Sequence, residues 1–77
     1  ENITPVQYGI LTVLSLNPWL DQTAIGYELG LDRTTSADVI KRLEEKGWVE
    51  RRVNPSDRRS RQVLTTPEGL RVMAQLQ

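Results

Sequence analysis

Three residues, Gly30-Leu31-Asp32, stand between a helix stop and a helix start. Glycine suits the left-handed residue that ends a helix, and aspartate accepts the first free N–H groups of the next one. With a single residue between these signals, the two helices must turn sharply against each other. The earlier helix starts at Asp21, a good N-cap, and carries Ile25, Leu29 and Ala24 as its apolar face. Gly26 inside it costs about 1 kcal/mol against Ala, and close packing against a neighbouring helix accounts for it. The later helix spans residues 32–46, capped by Asp32 and ended by Gly47. Ser36, Val39, Ile40 and Leu43 fall at i, i+3, i+4 and i+7 and face the core. Arg33, Thr34, Ala37, Asp38 and Lys41 occupy the other face. Two short helices joined by a tight turn, the second exposing small polar and basic residues, form a helix-turn-helix pattern.

The flanks complete one small domain. Thr4-Pro5-Val6-Gln7 is a helix start, with Thr4 as cap, Pro at the first position and Gln7 placed to close a capping box. Val6, Ile10, Leu11, Val13 and Leu14 follow at near-helical spacing, and Asn17-Pro18 stops the helix. After Gly47, Trp48–Val53 alternates as a strand, Asn54-Pro55-Ser56-Asp57 is dense in turn residues, and Gln62–Thr65 returns. This predicts a β-hairpin with a long, Arg-rich loop at its tip. Thr66-Pro67-Glu68-Gly69 repeats the Thr-Pro helix start, with Leu70, Val72, Met73 and Leu76 apolar beyond it. The fold class is mainly α with a small β-hairpin, a winged helix-turn-helix whose wing has two or three strands. The chain begins with Glu rather than Met, so residues 1–77 are expected to be one domain of a longer protein.

Net charge is zero, yet the charge is unevenly placed. Residues 1–50 hold four basic and eight acidic side chains, a balance of −4. Residues 51–61 hold five arginines and one acid, a balance of +4. Eight of the ten basic residues are Arg, whose fork of donors suits phosphate and groove contacts. A local basic patch on a helix-turn-helix marks nucleic acid as partner.

Other chemistries find little support. There is no Cys and no His, so thiolate and imidazole chemistry are absent from these 77 residues. No Gly-rich phosphate loop and no metal-ligand spacing occurs, and no cofactor or metal is expected. Glu44, Glu45 and Glu50 cluster beside Lys46 and read as a solvated face. No apolar run is long enough to span a bilayer, and no membrane partner is expected. The chain is not expected to be an enzyme.

Two elements are candidates for nucleic-acid contact. The start of the helix 32–46 can enter the major groove, where hydrogen-bonding side chains distinguish base pairs. Thr34, Thr35, Ser36 and Ala37 are small enough for close approach, and Arg33 and Lys41 can reach base edges or backbone. Asp38 either accepts from a cytosine amino group or lies off the interface. In the hairpin, Arg58, Arg59 and Arg61 suit the narrow, negative minor groove. Asp57 is read as pairing with Arg59 or Arg61 and holding the wing in shape.

The stretches Leu31-Asp32-Arg33-Thr34-Thr35, Leu43-Glu44-Glu45-Lys46-Gly47-Trp48-Val49-Glu50-Arg51, Asp57-Arg58-Arg59-Ser60-Arg61 and Thr66-Pro67-Glu68-Gly69 resemble the winged helix-turn-helix core of the MarR family of bacterial regulators. Ile3-Thr4-Pro5-Val6-Gln7 resembles that family's first core helix. The resemblance covers essentially the whole chain. It implies a homodimeric, sequence-specific repressor or activator, repression being the expected sense, on a pseudo-palindromic double-stranded DNA operator. It places the helix 32–46 in the major groove, with Thr34, Ala37, Asp38 and Lys41 where the family reads bases. It places Arg58 and Arg59 in the flanking minor groove, with Asp57 as wing organiser. It implies a bacterial, cytoplasmic, nucleoid-associated protein with a small aromatic effector bound outside or at the edge of these residues. Tyr8, Trp19 and Tyr27 are read as core, with the lining of an effector pocket as the other reading. Three departures stand out. Ser36 replaces a usual aliphatic residue and is expected to weaken a core contact, Asp38 replaces Arg, Gly or a small residue, and Thr65 replaces a usual Leu. The alternatives are a winged-helix module that binds protein, and an accessory domain of a hydrolase or transferase.

Overall fold

The computed structural model describes residues 3–75. The order is α1 (Pro5–Leu16), β1 (Leu20–Asp21), α2 (Gln22–Leu29), α3 (Arg33–Glu45), β2 (Val49–Asn54), β3 (Asp57–Thr65) and α4 (Pro67–Gln75). The strands form an antiparallel sheet in the order β1-β3-β2. The mainly α winged helix-turn-helix read from the sequence is the fold observed.

The helix ends follow local chemistry. Thr4 and Gln7 close a capping box at α1, each side chain meeting the other's backbone N–H at 3.1 Å. Asp21 and Asp32 cap α2 and α3 by accepting from Thr23 N–H and Thr35 N–H. The α3 end is a Schellman motif. Trp48 N–H reaches Leu43 C=O, Gly47 N–H reaches Glu44 C=O, and Gly47 takes φ 78°. Thr66 Oγ1 accepts from Gly69 N–H and donates to Gly47 C=O, so the second Thr-Pro start also ties α4 to the end of α3.

The core is one cluster drawn from every helix and from the sheet. Ile10, Leu11 and Leu14 of α1 meet Ile25, Ile40, Leu43, Trp48, Val49, Val63, Val72 and Met73. Val39, expected in the core, is half-buried and packs at its edge. Val6 and Leu70 are exposed, because α1 and α4 turn those faces away from the cluster. Leu76 lies outside the described residues.

Ser36 corrects an expectation. It is buried, with Oγ donating to Arg33 C=O at 3.1 Å. A Cβ added at Gly26 would lie 3.4 Å from Ser36 Oγ and 3.2 Å from Leu31 C=O. Ser36 thus faces Gly26 across the α2–α3 contact, and the tightest limit on a side chain at Gly26 is the Leu31 carbonyl. Thr65 is buried too, and its hydroxyl donates to Leu11 C=O at 3.2 Å, pinning β3 to α1.

The hairpin differs from the expected long loop. β3 begins at Asp57, and Asn54 pairs with Asp57 across a turn made only of Pro55 and Ser56. Arg58, Arg59 and Arg61 therefore sit on a strand, not in a loop. The Asn54–Asp57 pair closes the tip, and the register then jumps to Val53–Arg61, so Arg58, Arg59 and Ser60 bulge from the β2–β3 ladder. β1, a two-residue strand pairing Leu20 with Val63 and Asp21 with Gln62, fastens the wing's other edge.

Candidate nucleic-acid interface

The two candidate elements emerge from one side of the core. The burial of Ser36, Ile40 and Leu43 fixes how α3 rolls. Arg33, Thr34, Thr35, Asp38 and Lys41 are consequently exposed, and Ala37 is half-buried. At the helix start, hydrogen bonds from the Thr35 side chain and then its backbone N–H hold the Asp32 carboxyl below the usual aspartate range. The cap is therefore ionised near neutral pH and complements the helix dipole.

Asp38 is not an isolated charge. Its Oδ2 accepts from Arg42 Nε at 3.2 Å, one turn along the exposed face. Sequence reading passed over Arg42, although the i, i+4 spacing carries that pairing.

On the wing, Asp57 Oδ1 accepts from Arg59 N–H at 3.0 Å, with Arg59 Nε at 3.9 Å. Asn54 Oδ1 accepts from Ser56 N–H in the same way. These local turns shape the tip while the Arg59 side chain stays 94% exposed. Arg61 is not a partner of Asp57; its Nη1 donates to Arg58 C=O at 3.1 Å. Arg58, Arg59 and Arg61 are all exposed.

The other two arginines of the basic run point elsewhere. Arg51 reaches Glu44 of α3 at 3.2 Å and Gln22 of α2 at 3.5 Å. Arg52 donates to Gln62 at 2.9 Å and lies 3.9 Å over the Trp19 ring. Trp19 is therefore a platform for the wing, neither buried core nor free. Tyr8 packs against the core cluster as expected. Tyr27 does not, being 85% exposed.

Between α2, the start of α3 and β3 lies an open groove of about 670 Å³. Arg33 and Ala37 line it from α3, Thr23 and Tyr27 from α2, and Arg59 and Arg61 from the wing. The sequence carries no signal for this groove, since three separate segments build it. Thr34, Thr35, Asp38, Lys41 and Arg58 lie outside its lining.

A tight helix-turn-helix whose second helix runs into an antiparallel hairpin defines a winged helix-turn-helix domain. The chain belongs to the MarR family, whose family model matches residues 3–60. A protein assigned to transcriptional regulation of the hcr operon in Thauera aromatica is 38% identical over all 77 residues, which make up 46% of its length. The crystal structure of the PcaV transcriptional regulator from Streptomyces coelicolor with its natural ligand superposes with a TM-score of 0.92 at 40% identity, covering 96% of this chain and 52% of that one. The transcriptional repressor CouR bound to a 23-mer DNA duplex superposes with a TM-score of 0.92 at 35% identity, covering 96% of this chain and 52% of CouR. The chain thus spans about half the length of the relatives it matches. These relatives are transcriptional regulators, not enzymes. Among the described residues, no helix is long and apolar enough to cross a membrane.

Proposed function

We propose that residues 1–77 are the double-stranded-DNA-binding domain of a homodimeric, effector-responsive transcription regulator of the bacterial cytoplasm, acting as a repressor at a pseudo-palindromic operator. One observation carries this reading. Arg33 and Ala37 at the start of α3 and Arg59 and Arg61 of the wing line a single groove that spaces a helix from a β-finger. In the mechanism, α3 enters the major groove. Thr34, Ala37, Asp38 and Lys41 meet base edges there, and Arg33 and Thr35 meet edges or phosphates at its start. Arg58, with Arg59 and Arg61 beside it on β3, reaches the adjacent minor groove, where the potential is most negative. The Asp38–Arg42 pair lets Asp38 approach DNA without an unbalanced negative charge. Phosphate contacts by Arg and Lys supply most of the affinity, so binding weakens steeply with salt. CouR, a relative captured on duplex, supports the choice of partner. A small aromatic effector would act from segments beyond or at the edge of these residues.

The test is an NMR titration of the 77-residue chain with a duplex of about 20 base pairs, two helical turns, at low salt. Joint shifts at residues 33–41 and 57–61, reversed by salt, are the expected result. A titration that leaves both regions unmoved would overturn the reading in favour of a winged helix that binds protein.

A further inference from the structure

We propose that Tyr27, on the bank of the groove between α2, the start of α3 and β3, is a backbone-positioning residue whose phenol donates to a phosphate oxygen of the DNA strand that passes between α3 and the wing. The proposal rests on the DNA-binding reading above and names the duplex atoms this groove takes. The first argument is topological. Adjacent major and minor grooves of a duplex are separated by one backbone strand. A domain that puts α3 into one and the wing into the other must let that strand pass between them. The groove runs between the two elements.

The second argument is chemical. Arg33, Arg59 and Arg61 line the groove, and no Asp or Glu is among its lining residues. The nearby Asp21 carboxylate is engaged, accepting from Thr23 N–H with one oxygen and from the Ser60 hydroxyl with the other. The groove is therefore complementary to an anion, as the phosphodiester of a backbone strand is.

The third argument concerns Tyr27. It stands one turn after Thr23 on α2, both side chains are exposed, and both line the groove. At 85% exposure, Tyr27 contributes little to the core. A phenol on the bank of a cationic groove can donate its O–H to a phosphate oxygen, as neutral side chains do when they fix a protein's register on DNA. The first helix of a helix-turn-helix crosses the backbone, which brings this face of α2 to that strand.

The experiment measures fluorescence anisotropy of two unrelated labelled duplexes of about 20 base pairs with the wild-type chain, Tyr27→Phe and Arg58→Ala. Tyr27→Phe removes one hydroxyl from an exposed ring, so folding is not at risk. It should weaken binding to both duplexes by the same factor, about tenfold to a hundredfold for one hydrogen bond to a charged oxygen. The salt slope should not change, because the phenol carries no charge. If Arg58→Ala weakens binding while Tyr27→Phe binds both duplexes as tightly as wild type, the groove assignment falls and the DNA reading stands. An effect on only one duplex would make Tyr27 a base reader and overturn the backbone assignment. If the wild-type chain binds neither duplex, both readings fall together. A parallel NMR titration with sodium benzoate separates the two sources of an anion. Saturable shifts at Tyr27 with benzoate, and none with duplex, would make the groove a receptor for free organic anions and overturn the proposal.

Discussion

Arg51 and Arg52 are neighbours in β2, yet they brace the wing from opposite faces of the sheet. Arg51 bonds Glu44 and Gln22, at the end of α3 and the start of α2. Arg52 stacks on Trp19 and bonds Gln62 of β3. Strand alternation sends them apart. Trp19 holds φ 59°, a conformation that costs a non-glycine residue about 1–2 kcal/mol, and the stacked guanidinium offsets part of that. Of the five arginines in residues 51–61, Arg51 ties the wing to α3, Arg52 packs over Trp19, and Arg58, Arg59 and Arg61 remain exposed on the wing.

Arg52→Ala and Arg58→Ala should therefore separate. Arg52→Ala should lower stability by about 0.5–1 kcal/mol, the range for a solvent-accessible cation–π contact, and leave the salt slope of duplex binding unchanged. Arg58→Ala should leave stability unchanged and lower that slope by about one. Urea denaturation and anisotropy at a series of salt concentrations read both quantities.

Recognition by α3 should appear as unevenness across sequences. Thr34→Ala and Lys41→Ala should each cost about 1–3 kcal/mol on some operators and little on others. A binding-site selection repeated with each variant checks this. A uniform loss would reassign both residues to the backbone.

Gly69→Ala should be strongly destabilising for a single methyl. A Cβ there would overlap the Trp48 carbonyl oxygen and lie 2.8 Å from Thr65 Cγ2. The obstacle is backbone, already bonded to Thr66 N–H at 3.0 Å, and it cannot swing aside. The cost expected for overpacking is about 1–3 kcal/mol, read as a lower Tm in calorimetry.

Acid should loosen the start of α3. The Asp32 carboxyl is held below its ordinary range, so the folded form binds its proton less readily than the unfolded form. Its contribution is fully present above the unfolded aspartate value and is lost as pH falls through the lower folded value. Amide exchange at Thr35 should rise in that window. Asp32→Asn, which retains a cap oxygen without the charge, should show no such acid dependence.

Helix boundaries in this chain depend on contacts within a few residues, and those were legible in the sequence. Thr4 with Gln7, Asp21 with Thr23, Asp32 with Thr35, and Gly47 after α3 each act on their own turn of backbone, so residue order alone determines them. The core face of α3 followed from its periodicity for the same reason. The tight Gly30-Leu31-Asp32 link and the hairpin after α3 were enough to indicate the winged helix-turn-helix fold.

Decisions between distant segments belonged to the tertiary structure. The fit of Ser36 against Gly26 depends on how closely two helices approach, and the sequence offered only a missing aliphatic residue. Arg51 and Arg52 looked like members of one basic run until strand pairing sent them to Glu44 and Trp19. The groove exists only because α2, α3 and β3 converge, and Tyr27 belongs to it because α2 rolls Ile25 inward. Caps and periodicity are short-range. Which charges are consumed internally and which remain for a partner is settled by packing between elements tens of residues apart.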